Sequence, residues 1–518
     1  MPKGWLVTFL LLATPAAAEL EVPAGWYAGD LHAHWPDAGC YGVAPPEVME
    51  QGMPADLNLV SVLLWDGGDL FQQNAKDYFR GHSDDPVSQP LRIVHYDVEI
   101  SAFRLADRLG HLSLLYLDSV DFPRAGYHAP IQDWAHARGA TVGSNHSQAW
   151  TASYSTFPPI VWCCAPYEAP VGFALGRVDY IEFQGVEQAL RDRWRFFWYS
   201  LLNCGFRPGL AATSDSWCIH TVGTYRTYAR PDGAFNYENF VNAVARGRTV
   251  AVEDGGSFIH FTIGGAETGD EIAVSSGQQL SLTARVIFPD SLVSVGNLEF
   301  MRNGDVIATH PYAQVGGEMV VVEPITALRS SWYSVRTARS HSGAIFVLVD
   351  GFPVRPSVQA PEYYAAYMDY FDTAVRGDFF YQLQPAERES LLADIGRAKT
   401  IYMQIRDEAL AQPVAISEDP SAPLPHKGGS WPNPFSATLE IAFAAGDGDE
   451  ATPATIRIFD AGGRLVRRLE PPRGGPGPGR VVWDGTSDAR TQVPNGIYYY
   501  VVENDTGVIG GGRAVRLR

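Results

Sequence analysis

From Gly25 to Glu253 the chain repeats one pattern, a short apolar run followed by a helix-like stretch, and most runs end at a residue able to bind a metal. The runs are Trp26–Leu31, Leu57–Leu64, Leu91–Ile100, Leu112–Leu117, Thr141–Ser144, Val178–Phe183 and Gly209–Ala212, with helical stretches such as Ala129–Arg138 and Ala189–Leu202 between them. Alternation of this kind implies an α/β fold of parallel strands wound with helices. Seven strands over residues 25–255 fit a barrel better than a small open sheet.

The polar residues at the run ends carry the chemistry. Trp26–Leu31 leads into His32 and His34, Leu91–Ile100 holds Glu99 near its end, and Thr141–Ser144 leads to His146. Val178–Phe183 carries Glu182, and Gly209–Ala212 leads to Asp215. In a β/α barrel the strand ends converge on one mouth, so residues distant in sequence meet there. His32 and His34, two apart on one strand, share a face and can grip one ion. Imidazole with carboxylate suits zinc, manganese or iron better than calcium.

These residues resemble the motifs of the PHP (polymerase and histidinol phosphatase) superfamily. Gly29-Asp30-Leu31-His32-Ala33-His34 is similar to its opening motif. Glu99, Gly110-His111-Leu112, Asn145-His146 and Thr213-Ser214-Asp215-Ser216 follow in the same order. Val178–Glu182 and Val222–Tyr228 resemble the CehA/McbA branch, and Ser331–Val354 resembles the β domain that follows the barrel there. The resemblance implies a distorted seven-stranded β/α barrel with a metal cluster at its mouth. It implies hydrolysis of a phosphoester, carboxylic ester or carbamate by a metal-bound hydroxide. Two usual ligands differ: the chain reads Trp65-Asp66 where the family has Asp-His, and Asp215-Ser216-Trp217 where it has Asp-x-His. The expectation is therefore one or two divalent transition-metal ions held by His32, His34, Glu99, His111, His146 and Asp215, with Asp66 or His220 replacing a lost ligand. His220 is the expected proton carrier, Arg226 the expected holder of an anionic group, and Glu182 a carboxylate supporting a ligand from behind. His82, His95, His128 and His136 are expected to be structural or exposed. The rival expectation is a degenerate barrel that binds an extracellular ligand without turnover.

The remaining chain divides by texture. Residues 256–356 alternate strand-like runs with turns such as Asn303-Gly304, which predicts a β-sandwich. Residues 357–411 carry Tyr363, Tyr367, Tyr370 and Phe371, then Leu391, Ile395, Ile401 and Ile405, at helical spacing. They predict a helical hairpin against the preceding domain. Residues 412–430 read as a Pro/Ser/Gly linker. Residues 431–518 read as a C-terminal β-sandwich; Trp431-Pro432-Asn433-Pro434-Phe435, Trp483-Asp484-Gly485 and Asn495-Gly496-Ile497-Tyr498 resemble FlgD-type Ig-like domains. That resemblance implies a stabilising or anchoring appendage, with contact to the cell surface or secretion machinery.

Lys3, the apolar run Trp5–Ala13 and Ala16-Ala17-Ala18 read as a signal peptide over residues 1–18, so a secreted, periplasmic or cell-surface location is expected. No other run is long enough to span a membrane. A net charge of −19 argues against nucleic acid as a partner and leaves a small ester-bearing substrate. Five cysteines (Cys40, Cys163, Cys164, Cys204 and Cys218) allow at most two bridges, and their spacing matches no zinc motif.

Overall fold

The computed structural model describes residues 20, 22–34, 53, 57–66, 78–101, 109–156, 164–185, 187–216, 222–290, 293–377, 383–412, 429–431, 435–443, 455–460, 464–470, 479–504 and 507–516. The expected signal peptide, His220 and most of the linker lie outside these residues. The protein is a mixed α/β chain, mostly strands in several sheets.

Each of the seven apolar runs overlaps a strand, two of which extend past the run: β1 Tyr27–His34, β2 Leu59–Asp66, β3 Ile93–Ile100, β4 Leu112–Leu115, β5 Thr141–Ser144, β6 Tyr180–Phe183 and β7 Gly209–Ala212. They lie side by side in chain order. β1, β2 and β3 run parallel, as do β5, β6 and β7. The expectation of purely parallel strands is corrected at β4, which is antiparallel to both neighbours. Only residues 101–111 separate β3 from β4, fewer than the dozen or so that a parallel crossover requires. Two further strands, β8 Arg226–Ala229 and β9 Thr249–Val252, add antiparallel beyond β1.

The sheet curls until β7 meets β8 and β9. Thr227 Oγ1 on β8 donates to the Ala212 carbonyl and accepts from its N–H, both at 3.0 Å. Thr249 Oγ1 on β9 donates to the Leu210 carbonyl at 2.8 Å. Leu31, Leu59, Leu63, Ile93, Leu115 and Tyr180 pack in one cluster with Tyr237 and Phe240. Room there is tight: a Cβ on Gly143 of β5 would fall 2.2 Å from Cζ of Tyr180.

The helices of this region are α1 Ala129–His136, α2 Ala169–Ala174, α3 Gln188–Asn203 and α4 Tyr237–Ala245. α4 opens on Asn236, whose side chain accepts from the Asn239 N–H at 2.8 Å, a regular N-cap.

After β9 the strands continue the same sheet. Ser340–Ser342 pairs with β9 through Ser340 and Val252, His341 and Ala251, and Ser342 and Val250. Through this link, strands 331–336, 345–349 and 271–274, and the hairpin 293–302/305–315, join the sheet of β1–β9. Asn303 and Gly304, both at positive φ, make the turn of that hairpin. Strands 258–263, 266–267, 278–287 and 318–327 form a separate four-stranded sheet. Phe258, Phe261 and Leu282 of that sheet share a core with Val60, Val94 and Tyr228 of the first region.

Helices α5 Gln359–Arg376 and α6 Pro385–Ala411 lie against α2 and α3. The hairpin meets the preceding β region where Arg355 pairs with Glu408 at 2.8 Å and Gln412 Nε2 donates to the Pro353 carbonyl at 2.5 Å. The aromatic stripe packs elsewhere: Tyr364 and Ser200 hydroxyls meet at 2.7 Å, Tyr367 Oη donates to the Tyr167 carbonyl at 2.8 Å, and Tyr402 Oη to that of Pro170 at 2.7 Å. Trp150, Phe197 and Trp198 supply the matching apolar surface. α6 starts with a capping box of Gln384 and Glu387, and Glu387 also accepts from the Gly126 N–H at 2.9 Å. No described helix is long and apolar enough to cross a membrane.

Residues 416–518 form a second compact unit. A three-stranded sheet (429–431, 439–443, 479–483) and a four-stranded sheet (455–460, 465–469, 496–504, 507–516) share a core of Phe435, Ile441, Ile458, Trp483 and Tyr500.

Candidate metal centre

Six side chains from five strand ends meet at one end of the curled sheet. His32 and His34 come from β1 and Glu99 from β3. His111 precedes β4, His146 follows β5, and Asp215 follows β7. They form two groups of potential ligands, His32/His34/Asp215 and Glu99/His111/His146. In the first, Nε2 of His32 and Nε2 of His34 stand 3.1 Å apart, and Asp215 Oδ1 lies 3.0 Å from His34 and 3.7 Å from His32. In the second, His111 Nδ1 lies 3.0 Å from both Glu99 Oε1 and His146 Nε2.

Glu99 joins the groups. Its Oε1 faces His111 and stands 3.5 Å from His32 Nε2, while Oε2 lies 3.4 Å from His34 Nε2. One carboxylate thus offers an oxygen to each side.

These separations pass a simple test of fit. Donors bonded at about 2.0–2.1 Å to one tetrahedral ion stand roughly 3.3 Å from one another. The measured spacings bracket that value. Charge points the same way. Glu99 is 2 % exposed and Glu182 fully buried, and among the described residues every ion pair of Glu99, Glu182 and Asp215 is with an imidazole. Three carboxylates in so small a volume, with no lysine or arginine among those partners, give the pocket the negative charge that a bound cation would offset. The two groups therefore fit one divalent ion each.

Titration follows from the same packing. Burial works against charge on Glu99, yet facing His32 and His111 hold its carboxyl well below the usual range. Asp215 is likewise lowered, burial being outweighed by His32 and a hydrogen bond from His34. His32 is raised well above the usual imidazole range, since Glu182, Glu99 and Asp215 together overcome its burial.

A second layer holds the ligands. His32 Nδ1 donates to Glu182 Oε1 at 2.6 Å, which turns Nε2 inward as the nitrogen that would ligate an ion once its proton leaves. Asn145 Nδ2 donates to Glu99 Oε1 at 3.2 Å, and Ser113 fixes Asn145 at 2.9 Å. Ser216 Oγ accepts from the His34 N–H at 3.0 Å. Asp30, fully buried, accepts from the backbone N–H of Gly223 at 2.8 Å, Ser214 at 3.1 Å and His32 at 3.3 Å. It thereby ties the strand of His32 to the segment that carries Asp215.

Two of the six sit in left-handed backbone conformations, His146 at φ 55° and Asp215 at φ 42°. Non-glycine residues there cost on the order of 1–2 kcal/mol and cluster at functional sites.

The other expected residues are placed as follows. Arg226 begins β8, is 5 % exposed, and spends its Nε on the Gly223 carbonyl at 3.0 Å. Asp66 ends β2. His95 pairs with Asp84 and His136 with Asp179, both at 2.9 Å, and His128 is buried. Sequence reasoning gave no role to Asp30 or Gln184. Asp30 had a signal, its place in the Gly29–His34 motif; Gln184 had only its position two residues beyond Glu182.

The FlgD Ig-like domain family matches residues 438–507. No curated protein matches the chain. Among solved structures, PorZ, a surface component of the type-IX secretion system of Porphyromonas gingivalis, is 20 % identical over 18 % of this chain and 11 % of its own, with a TM-score of 0.14. Dimeric latent PorU from the same organism is 14 % identical over 50 % of this chain and 20 % of its own, at 0.18. The lesion-specific endonuclease PfuEndoQ from Pyrococcus furiosus is 13 % identical over 42 % of this chain and 56 % of its own, at 0.27. The chain thus spans less than two thirds of each, and the likeness is partial.

Proposed function

We propose that the protein is a metal-dependent hydrolase of an ester, carbamate or phosphoester, built on a PHP-type barrel of the CehA/McbA kind. The observation that carries this reading is Glu99, whose Oε1 faces His111, His146 and His32 while its Oε2 faces His34, so that one carboxylate touches both groups. Bound divalent ions would supply a Lewis acid for the electrophilic centre and lower the pKa of water at the site.

The protein's own residues do the rest. His32, His34 and Asp215 would hold one ion, and Glu99, His111 and His146 the other. Glu182 keeps a proton on His32 Nδ1 and so keeps its Nε2 available. Asp30 fixes the approach of the Asp215 segment. His220 is assigned proton transfer. Arg226, committed to the turn at Gly223, positions that turn. An extracellular or surface location, with attachment through the C-terminal unit, is part of the proposal; the leader-like first 18 residues and the FlgD Ig-like match support it.

The test is metal analysis of the purified chain, followed by assay of chromogenic carboxylic esters, carbamates and phosphoesters with zinc, manganese and iron. The expected result is about two ions per chain and turnover that His32→Ala removes. Metal without turnover on any class would favour the non-catalytic binding reading; less than about one tightly held ion per chain would overturn both the metal centre and the enzyme.

A further inference from the structure

Gln184 follows β6 by one residue and is 6 % exposed. Its amide makes four short contacts. Nε2 donates to Glu182 Oε1 at 3.1 Å and to Thr213 Oγ1 at 3.0 Å. Oε1 accepts from Gln148 Nε2 at 2.7 Å and faces His146 Nδ1 at 3.2 Å. Both amide hydrogens and both carbonyl lone pairs are thereby used.

The orientation of this amide is determined by its neighbours. Glu182 can only accept, so the NH2 end must face it. The carbonyl end then faces His146, where an oxygen can only accept, and Nδ1 of that ring must carry the proton. Its Nε2 is left as a lone pair toward His111 and Glu99. On the other side, the same amide holds Glu182 against His32, whose Nε2 is presented to His34 and Asp215. The two rings belong to different ligand groups, and Gln184 reaches both.

We propose that Gln184 is the positioning residue that sets the histidine tautomers of both halves of the centre, and so makes the two ion sites depend on one side chain. This rests on the metal-dependent reading above. The relation predicts an asymmetry. Removing the Gln184 amide breaks its contacts to both halves, whereas changing Glu182 breaks a direct contact to His32 and reaches His146 only through Gln184.

The experiment is zinc titration of the full chain against a chromophoric chelator, for wild type, Gln184→Leu and Glu182→Gln, with nitrogen-15 histidine NMR of the metal-free proteins. Gln184→Leu should weaken both ions by roughly 10–100-fold, the usual effect of losing a partner behind a ligand, and Glu182→Gln should weaken the ion on the His32 side more than the other. Metal-free wild type should show the His146 proton on Nδ1. Retention of either zinc affinity within about twofold in a folded Gln184→Leu protein would overturn the inference. So would finding the neutral His146 proton on Nε2 in wild type, a readout that stands even where the leucine variant does not fold. Wild type that takes up no zinc would instead remove the metal-dependent reading, while the NMR result would still decide the role of Gln184.

Discussion

Glu168 offers a clean pH experiment away from the metal centre. It precedes α2, is 1 % exposed, and accepts from the His128 N–H at 2.9 Å. Burial pushes its carboxyl from 4.5 up to about 7, and neighbouring Asp394 adds to the rise. His128 beside it, lowered to about 3 by burial and by His111, stays neutral and offers no countercharge. Because the folded pKa is raised, the group costs nothing below pH 4.5, where folded and unfolded chains are both protonated. Between pH 4.5 and 7 the unfolded chain ionises first and stability falls; above 7 the cost is constant. At 1.36 kcal/mol per pKa unit the full cost is about 3 kcal/mol. Glu168→Gln keeps an acceptor for His128 and removes the titration. Urea unfolding of both proteins at fixed ionic strength from pH 4.5 to 8 isolates this group, since every other titration cancels in the difference. The variant should gain about 3 kcal/mol relative to wild type across that window. A flat difference curve would refute the argument.

Other consequences follow from the geometry. Glu99→Gln replaces one of the two Glu99 carboxylate oxygens with an amide nitrogen, so on the proposed reading metal analysis should find at least one ion lost and hydrolysis lowered by about 100-fold or more. Zinc at about a hundredfold over its dissociation constant should stabilise the wild type by roughly 2.7 kcal/mol per site, and His34→Ala should abolish part of that gain in a thermal melt. Gly143→Ala drives a methyl into the Tyr180 ring, and should cost about 1–3 kcal/mol by urea unfolding. Glu387→Ala removes half of a capping box and the acceptor for Gly126, and should cost roughly 1–2 kcal/mol, read from the melting temperature.

The strands and their polar ends were legible because burial imposes an apolar run, and because a polar side chain can reach the sheet's open end only where the run stops. His32, Glu99, His146 and Asp215 are readable on that rule. Strand direction was not, since a run such as Leu112–Leu115 has no polarity in its composition; only its connection length separates the two choices. Ser340-His341-Ser342 shows no strand pattern at all, and becomes one by pairing with β9. Gln184 was invisible for a different reason. An amide has neither charge nor ligand chemistry, and its importance lies wholly in what it touches. The docking of α5 and α6 was likewise hidden, because a helical stripe announces that it will be covered and not by what.

The pairing of Ser340–Ser342 with β9 bears on how this molecule can be divided. A fragment ending near Glu253 would keep all six proposed ligands, yet would expose the edge that Val250, Ala251 and Val252 of β9 present to Ser340–Ser342. Bare strand edges of that kind recruit other chains. The smallest autonomous version of the centre therefore extends at least to Val349, and a shorter one is expected to aggregate before it can be assayed.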